Sequence, residues 1–269
     1  MTKTLVFTDM DGTLLDHHTY SFEAAKPALA ALDKKHIPVI PTTSKTFAEL
    51  QPLREDINLT GPFIIENGAA IFIPHGFFKQ KPSGTVWVDG YWCKAFISSK
   101  NHWIKLLEKI SGDFEGSYKQ FSKMSTEDIQ ACTGLDEQSA SLAAKRQFGE
   151  PVLWEGSDDN KQLFLDAITQ RGAFPLEGGR FIHVSGNCDK GQALSWLAKE
   201  YQRQNGVAVQ TVALGDGKND IAMLEAADIS IRILSPVNPP PDVKKEEVYT
   251  STLNGPEGWT EMLTQLLSL

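Results

Sequence analysis

Short apolar runs alternate with amphipathic segments along this chain, and polar residues follow the runs directly. Residues 5–7, 38–41 and 62–65 predict strands, and residues 22–35 and 47–57 predict the helices between them. Strands that alternate with amphipathic helices are typical of a parallel sheet with crossover helices. The sequence therefore predicts an α/β fold.

The alternation changes after about Ile73, where a Pro/Gly-rich stretch begins. Mixed helix and strand patterns follow, and the parallel pattern resumes near Asp189 with a long helix and a strand at 209–214. We therefore predict a core made of residues 1–82 and 188–269. Residues 83–187 are predicted to form an inserted α+β domain.

Polar side chains follow three of the predicted strands. Asp9, Thr43 and Asn67 each come directly after a strand. Ligands of parallel sheets bind beyond the carboxyl ends of the strands, so these side chains are expected at one site.

Two acidic clusters stand out, one at each end of the α/β pattern. Asp9 and Asp11 precede Gly12, and Asp216 and Asp220 follow the strand at 209–214. A carboxylate can attack phosphorus to give an acyl phosphate, and Asp9 is the candidate. A second carboxyl, Asp11, can protonate the leaving alcohol and later activate water.

A carboxylate and a phosphate repel each other, and a divalent cation removes that penalty. Mg²⁺ prefers oxygen ligands, so it is the predicted cofactor. The candidate ligands are Asp9, Asp11 and Asp216, with Asp220 binding either directly or through hydrogen bonds. The transferring phosphoryl group also needs fixed hydrogen-bond donors that stabilise its negative charge. Thr43 or Ser44, together with Lys190, could supply them; Thr42 is a further alternative.

Each motif has a structural alternative. Asp-Gly pairs commonly mark turns, Thr43 could cap the helix that follows, and Lys190 could be a solvated lysine at a helix start. The positions of the two acidic clusters, after separate strands of one α/β pattern, favour the catalytic interpretation.

Composition restricts the partners and the compartment. The formal net charge of −8 argues against a general nucleic-acid or membrane-surface binder, because both need basic patches. No apolar stretch is long enough to span a bilayer. The three cysteines lack paired metal spacing and are interpreted as reduced packing residues. We therefore expect a cytoplasmic protein.

Four segments resemble the four motifs of the haloacid-dehalogenase-like phosphatase superfamily. They are residues 9–13, 43–45, 189–191 and 215–220. The resemblance implies a Rossmann-like core with a magnesium ion, and Asp11 favours phosphate esters because the dehalogenase branch lacks an acid there. The insertion between the second and third motifs matches the subfamily with a large α/β cap, Cof-type or IIB, in which the cap selects the substrate.

Within that subfamily, the chain resembles the mannosyl-3-phosphoglycerate phosphatase family. The matching stretches are residues 41–46, 65–69, 144–151, 178–184 and 255–259, and Gly149 departs from the expected serine. The resemblance implies hydrolysis of mannosyl-3-phosphoglycerate to mannosylglycerate and phosphate. The predicted substrate-binding residues are Ser44, Lys45, Asn67, Arg146, Arg180 and Asn219.

The arginines in this set have a chemical rationale. The implied substrate carries a carboxylate besides its phosphate, and Arg146, Arg180 or Lys45 could bind it. Each arginine could instead form an ordinary surface or cross-strand pair. Two other functions stay open: a Cof-type phosphatase of other or broader specificity, such as for a glucosyl analogue, and a non-catalytic anion sensor. We expect a small-molecule substrate and a monomer or weak homodimer.

Overall fold

The computed structural model of the protein describes residues 2–178 and 180–269. The helices are α1 (Lys26–Lys34), α2 (Phe47–Ile57), α3 (Lys100–Ile110), α4 (Thr126–Thr133), α5 (Glu137–Ala143), α6 (Asp158–Thr169), α7 (Lys190–Asn205), α8 (Ile221–Ala226) and α9 (Gly255–Leu267). The strands are β1 (Lys3–Thr8), β2 (Val39–Pro41), β3 (Phe63–Ile65), β4 (Ala70–Pro74), β5 (Val86–Val88), β6 (Tyr91–Ala95), β7 (Tyr118–Gln120), β8 (Glu150–Trp154), β9 (Leu176–Gly178), β10 (Phe181–Val184), β11 (Val209–Gly215), β12 (Ile229–Leu234) and β13 (Tyr249–Asn254). The chain divides into two compact units.

The first unit comprises Met1–Ser44, Arg54–Lys94 and Asp189–Leu269 and contains a five-stranded sheet. Its strand order is β13-β12-β11-β1-β2, and all neighbouring strands are parallel. Strand β1 is interior, and its residues Leu5, Val6 and Phe7 are fully buried. A strand covered on both faces needs a continuous apolar run, which is what the sequence supplies.

The first unit also contains a second sheet with the strand order β3-β4-β6-β5. The guanidinium of Arg54 lies 4.0 Å from the ring centroid of Phe63 and donates to the carbonyl oxygen of Gly61 at 2.8 Å. The buried cation therefore joins the end of α2 to the start of β3 by stacking and by a hydrogen bond.

The second unit comprises Lys45–Leu53 and Ala95–Cys188. Its antiparallel sheet has the order β7-β8-β10-β9. Helices α3 and α6 pack on this sheet through Trp103, Leu107 and Phe164, which form a core with Val152 and Ile182.

Helix α4 of this unit begins at a capped first turn. The hydroxyl of Ser125 accepts a hydrogen bond from the backbone N–H of Asp128, and the Asp128 carboxylate accepts one from the N–H of Ser125. This reciprocal pair is a capping box, which satisfies backbone donors that the first turn leaves open.

The predicted α/β class, with a central parallel sheet and an additional antiparallel α+β part, is confirmed. Residues 83–94 group with the first unit because β5 and β6 continue the sheet of β3 and β4. Residues 45–53 group with the second unit, where the Thr46 hydroxyl donates to the carbonyl oxygen of Leu142. The assignment of 83–187 as the inserted domain remains a prediction.

Several strands were absent from the sequence prediction: β4, β5, β7, β9 and β13. Strand β13 is an edge strand whose residues are mostly polar and exposed, so no apolar run marks it. Strand β13 is held in place by its pairing with β12 and by its contacts with helix α9. Within the described residues, the helices are too short or too polar to cross a membrane.

Candidate active site

The ends of three adjacent strands bring the first polar residues together. Thr8, the last residue of β1, is in register with Leu214 of β11 and with Pro41 of β2. The backbone N–H of Asp9 donates to the carbonyl oxygen of Leu214 at 2.9 Å, and that of Thr42 donates to the carbonyl of Thr8 at 2.8 Å. Because the strands are parallel and in register, the residues that follow them share one edge of the sheet.

Lys190 joins the two acidic clusters. Its Nζ donates to Oδ1 of Asp9 and to Oδ1 of Asp220, each at 2.6 Å, and its side chain is fully buried. The residue opens helix α7, which is capped by Asp189 through the backbone N–H of Gln192. The alternative that Lys190 is a solvated lysine is therefore wrong.

Asp216 is fixed by residues from two other segments. Its Oδ1 accepts a hydrogen bond from the Thr13 hydroxyl, and its Oδ2 accepts one from the Asn238 amide, both at 3.1 Å. Gly12 has a φ of +78°, and a Cβ there would lie 2.8 Å from Oδ2 of Asp216. The glycine therefore provides both the turn and the space that the carboxylate occupies.

Asp220 serves its own loop as well as Lys190. Its Oδ2 accepts hydrogen bonds from the backbone N–H groups of Asp216 at 3.1 Å and Gly217 at 2.9 Å. Both carboxylate oxygens thus already have donors within the protein. This arrangement orders the turn that carries Asp216.

Three carboxylates lie close enough to hold one metal ion. Ligand oxygens of Asp9, Asp216 and Asp220 are all within 4.8 Å of one another, and all three residues are buried. The carboxylate of Asp11, which the sequence analysis placed in the ligand set, is not in this group. Its negative charge nevertheless contributes to the raised pKa of Asp9, after the larger effects of burial and Asp220.

The cluster holds more negative than positive charge. Burial and the neighbouring Asp220 raise the pKa of Asp9 to about 8, although Lys190 acts in the opposite direction. Burial also raises the pKa of Asp216, against a hydrogen bond from Asn238. Burial alone would lower the pKa of Lys190, but Asp220 and Asp9 raise it above its ordinary value. A bound cation would relieve this repulsion between carboxylates.

The loop after β3 lies beside these residues. The backbone N–H of Asn67 donates to the carbonyl oxygen of Thr43 at 2.9 Å, and its side-chain oxygen accepts from the Asn219 amide at 3.2 Å. Asn67 has a φ of 59°, and a Cβ at Gly68 would lie 2.1 Å from the carbonyl oxygen of Asp189. Three of the predicted residues, Thr43, Asn67 and Asn219, thus come together, and Asn67 has a left-handed backbone conformation that Asn readily adopts.

The remaining predicted substrate-binding residues belong to other segments of the chain. Ser44 is exposed at the end of its segment, and Lys45 belongs to the second unit. In that unit, Arg146 follows α5. Arg180 lies between β9 and β10, and its guanidinium donates to the carbonyl oxygen of Cys132. Their roles in binding remain predictions. Gly179, part of one matching stretch, lies outside the described residues.

Some residues of the site were not singled out from the sequence. Asn238 precedes a run of three prolines, a pattern that indicates only a surface loop. Its contact with Asp216 spans 22 residues, and no spacing rule signals it. Thr13 belongs to the first acidic motif, but only the tertiary structure shows the hydrogen bond from its hydroxyl to Asp216.

A separate cleft of about 580 Å³ lies in the first unit, lined by the end of α2 and the face of α1. Leu29, Ile37 and Leu59 supply apolar lining, and the predicted site residues are not among those that line it. The cleft adjoins the amino end of β2, whereas the aspartates follow the carboxyl ends of the strands. The chemistry therefore identifies the aspartate cluster, not this cleft, as the candidate active site.

The fold and site define an α/β protein with a buried aspartate cluster and a lysine at the carboxyl edge of a parallel sheet. A family model described as haloacid dehalogenase-like hydrolase matches residues 6–81 and 160–245. The chain belongs to this family of hydrolases, as the resemblance of its four motifs indicated.

Two relatives share the full length of the chain. Both are named glucosyl-3-phosphoglycerate/mannosyl-3-phosphoglycerate phosphatase, one from Methanococcoides burtonii and one from Persephonella marina. Each is 36% identical, with 98% of this chain and 97% of the relative covered. Among solved structures, the HAD subclass IIB sugar phosphatase BT4131 is 18% identical with a TM-score of 0.64 and 100% of both chains covered. This last similarity confirms the predicted fold.

Replacing Lys190 with methionine tests the charge balance of the cluster. We expect Lys190→Met to lower the free energy of unfolding by about 3–5 kcal/mol, because it leaves two buried carboxylates without their cation. Urea unfolding at neutral pH without divalent cations measures the change. The control is Lys199→Met, an exposed lysine on the same helix, which should change stability by less than about 0.5 kcal/mol. Equal effects of the two substitutions would contradict the assigned role.

His183 of the second unit should make the protein sensitive to acid. Burial and the nearby Arg146 lower the pKa of His183 from 6.5 to about 4. Between these values the unfolded chain binds a proton that the folded protein does not, so stability falls as the pH falls. Between pH 6.5 and 4, the free energy of unfolding should fall less in His183→Gln than in the unaltered protein. We expect the difference to be on the order of 1–3 kcal/mol. Urea unfolding across this range, on both proteins, measures the difference; identical pH profiles would contradict the expectation.

Proposed function

We propose that this chain is a magnesium-dependent phosphatase that hydrolyses mannosyl-3-phosphoglycerate to mannosylglycerate and phosphate through an aspartyl-phosphate intermediate. The observation that carries the proposal is the contact of Lys190 with Asp9 inside a cluster of buried aspartates. The two full-length relatives, whose names give this substrate, support the choice of substrate.

The aspartate cluster fits a magnesium ion. Ligands of octahedral Mg²⁺ lie about 2.1 Å from the ion, so two ligand oxygens are separated by roughly 3–4.2 Å. The oxygens of Asp9, Asp216 and Asp220 meet within 4.8 Å, and hard carboxylate oxygens are the donors that the ion prefers. Burial, followed by the negative charge of Asp220, raises the pKa of Asp9, and a bound cation would act against both effects. Asp9 and Asp216 are the proposed ligands, with Asp11 as a further candidate.

Asp220 is a weaker candidate than Asp9 and Asp216 for direct binding of the metal ion. Its two oxygens accept hydrogen bonds from Lys190 and from two backbone N–H groups. We therefore assign Asp220 mainly to orienting Lys190 and the turn of Asp216. When bound, Mg²⁺ would supply positive charge against the phosphoryl oxygens and keep Asp9 ionised.

Asp9 is the proposed nucleophile. Lys190 holds its Oδ1, which leaves Oδ2 to attack phosphorus. The attack forms an O–P bond as the bond to the sugar-acid oxygen breaks, and water then cleaves the aspartyl-phosphate. A lysine held by two carboxylates remains charged, so Lys190 can stabilise charge on the phosphoryl group without giving up a proton.

Asp11 is the proposed general acid and base. It is partly exposed, two residues after the nucleophile, and Gly12 turns the backbone beyond it. In the first step its carboxyl gives a proton to the leaving oxygen, and in the second step its carboxylate takes a proton from water. Thr43 is the proposed hydrogen-bond donor to the substrate phosphate. Its carbonyl oxygen accepts a hydrogen bond from the backbone N–H of Asn67.

A second substrate has a specific observation in its favour. The names of both relatives give the glucosyl as well as the mannosyl ester. Glucose and mannose differ in the configuration of one hydroxyl, and discrimination requires a site group that bonds to that hydroxyl. We therefore propose glucosyl-3-phosphoglycerate as an additional substrate.

A substrate panel tests the proposed function. Phosphate release is measured from the mannosyl and glucosyl esters, 3-phosphoglycerate, mannose 6-phosphate and glucose 6-phosphate, each with Mg²⁺ and with EDTA. We expect kcat/KM for the two glycosyl esters to exceed that for the hexose phosphates by about 100-fold. EDTA should abolish every activity.

The other outcomes are distinct. Comparable activity on simple hexose phosphates would replace the proposal with a phosphatase of broad specificity. Absence of magnesium-dependent release from every compound, together with binding of inorganic phosphate, would indicate a non-catalytic anion sensor.

Asp9→Asn tests the nucleophile. We expect kcat to fall by at least about 10⁴-fold, because an amide is a poor nucleophile, and the acid-quenched protein should carry no phosphoryl group by intact mass. Asp33→Asn, at an exposed aspartate of α1, is the control and should keep full activity. An active, phosphorylated Asp9→Asn protein would exclude Asp9 as the nucleophile.

A further inference from the structure

The C-terminal segment Gly255–Trp259 has no part in the proposed chemistry, although it is one of the stretches that the sequence analysis singled out. It forms the first turn of helix α9. Trp259 is fully buried and is among the largest fully buried side chains of the described residues. A buried indole needs an acceptor for its N–H, so the partner of Trp259 defines what the segment does.

Two glycines of this segment set the position of Trp259. Gly255 has a φ of +49°, and a Cβ there would lie 3.8 Å from the carbonyl oxygen of Gly12. A Cβ at Gly258 would lie 2.2 Å from the carbonyl oxygen of Leu253, which no side chain can tolerate. The helix therefore begins directly beside the turn that follows Asp9.

A chain of two hydrogen bonds runs from this helix to the backbone of Asp9. The indole N–H of Trp259 donates to Oγ1 of Thr8 at 3.0 Å. The Thr8 hydroxyl donates its own proton to the carbonyl oxygen of Asp9 at 2.7 Å. All three groups are buried, so each bond is protected from exchange with water.

These bonds complete the support of the Asp9 backbone. Its N–H is held by the carbonyl of Leu214 on β11, and its carbonyl is held by Thr8. The next peptide carries Met10, whose carbonyl accepts the N–H groups of Thr13 and Leu15. The Asp9 carbonyl is thus the point where an ordered strand passes into the turn that presents Asp11 and Gly12.

We propose that Trp259 is a positioning residue, which acts through Thr8 to fix the Asp9 carbonyl and thereby the direction of the Asp9 and Asp11 carboxylates. The inference rests on the proposed phosphatase function for its kinetic consequence. The attacking oxygen must meet phosphorus in line, and a displacement of about 1 Å costs roughly 100-fold in rate. Helix α9 therefore contributes to catalysis although it carries no reacting group.

The hydroxyl of Thr8 separates this role from simple packing. Thr8→Val keeps the volume of the side chain and removes both hydrogen bonds, whereas Thr8→Ser keeps the hydroxyl. Trp259→Phe keeps an aromatic ring and removes the N–H. Leu263→Ala removes buried packing one turn later on α9 without touching the chain of bonds, and it is the matched control for lost stability.

Steady-state kinetics on the mannosyl ester with Mg²⁺ should show a change in kcat alone. We expect Thr8→Val to lower kcat about 10- to 100-fold and Trp259→Phe about 5- to 10-fold, each with KM within about 2-fold. Thr8→Ser should stay within about 3-fold of the unaltered protein. In the double variant, Trp259→Phe should add less than about 2-fold to the effect of Thr8→Val, because the two act through one bond chain.

Three results would overturn the inference: a folded Trp259→Phe protein with unaltered kcat, full additivity in the double variant, or a Leu263→Ala protein whose kcat falls as far as that of Trp259→Phe. Each variant is assayed well below its own Tm, so that loss of folded protein does not enter kcat.

Hydrogen exchange provides a readout that does not depend on activity. Amides of residues 10–15 should exchange faster in Thr8→Val and Trp259→Phe than in Leu263→Ala, because only the first two release the turn. Unchanged exchange in this segment would also overturn the inference. A wild-type protein that releases no phosphate would refute the proposed function, yet the exchange result would still decide whether Trp259 holds the turn.

Discussion

The buried ammonium group of Lys190 is the interaction on which the site depends. It stands between Asp9 and Asp220, two carboxylates that are far apart in the sequence and would repel each other without it. Full burial makes the pair costly to break, because either partner left alone would be an uncompensated charge in a medium of low polarity. The contact therefore ties the end of β1, the start of α7 and the loop after β11 into one unit.

The same interaction sets the electrostatic state of the site. One lysine does not balance the several aspartates, and burial together with the neighbouring Asp220 raises the pKa of Asp9 to about 8. A site with this surplus of negative charge suits a divalent cation. The bound cation would in turn attract an anionic phosphate ester. Asp216 is held for that purpose by Thr13 and Asn238, and Gly12 leaves the space that its carboxylate needs.

Support for the nucleophile comes from two directions. Lys190 fixes the side chain of Asp9, and the bonds from Trp259 through Thr8 fix its carbonyl group. A side chain can be aimed only if the backbone that carries it is also held, since a small rotation of the peptide displaces the carboxylate. The left-handed backbone at Gly255 and the close packing of Gly258 against the carbonyl of Leu253 place Trp259 where it reaches Thr8, next to residue 9.

The sequence by itself determined the α/β class, the bounds of helices such as α2, and Asp9, Asp216 and Lys190 as one candidate site. These follow from local patterns: hydrophobic period, capping residues, and polar side chains placed directly after strands. Only the tertiary structure decided that Lys190 is buried between two aspartates, that Asn238 binds Asp216, and that Trp259 reaches Thr8. Those contacts join residues separated by 22 to 251 positions, and a partner at such a distance is selected by packing and by the need to satisfy buried polar groups, which no local pattern encodes.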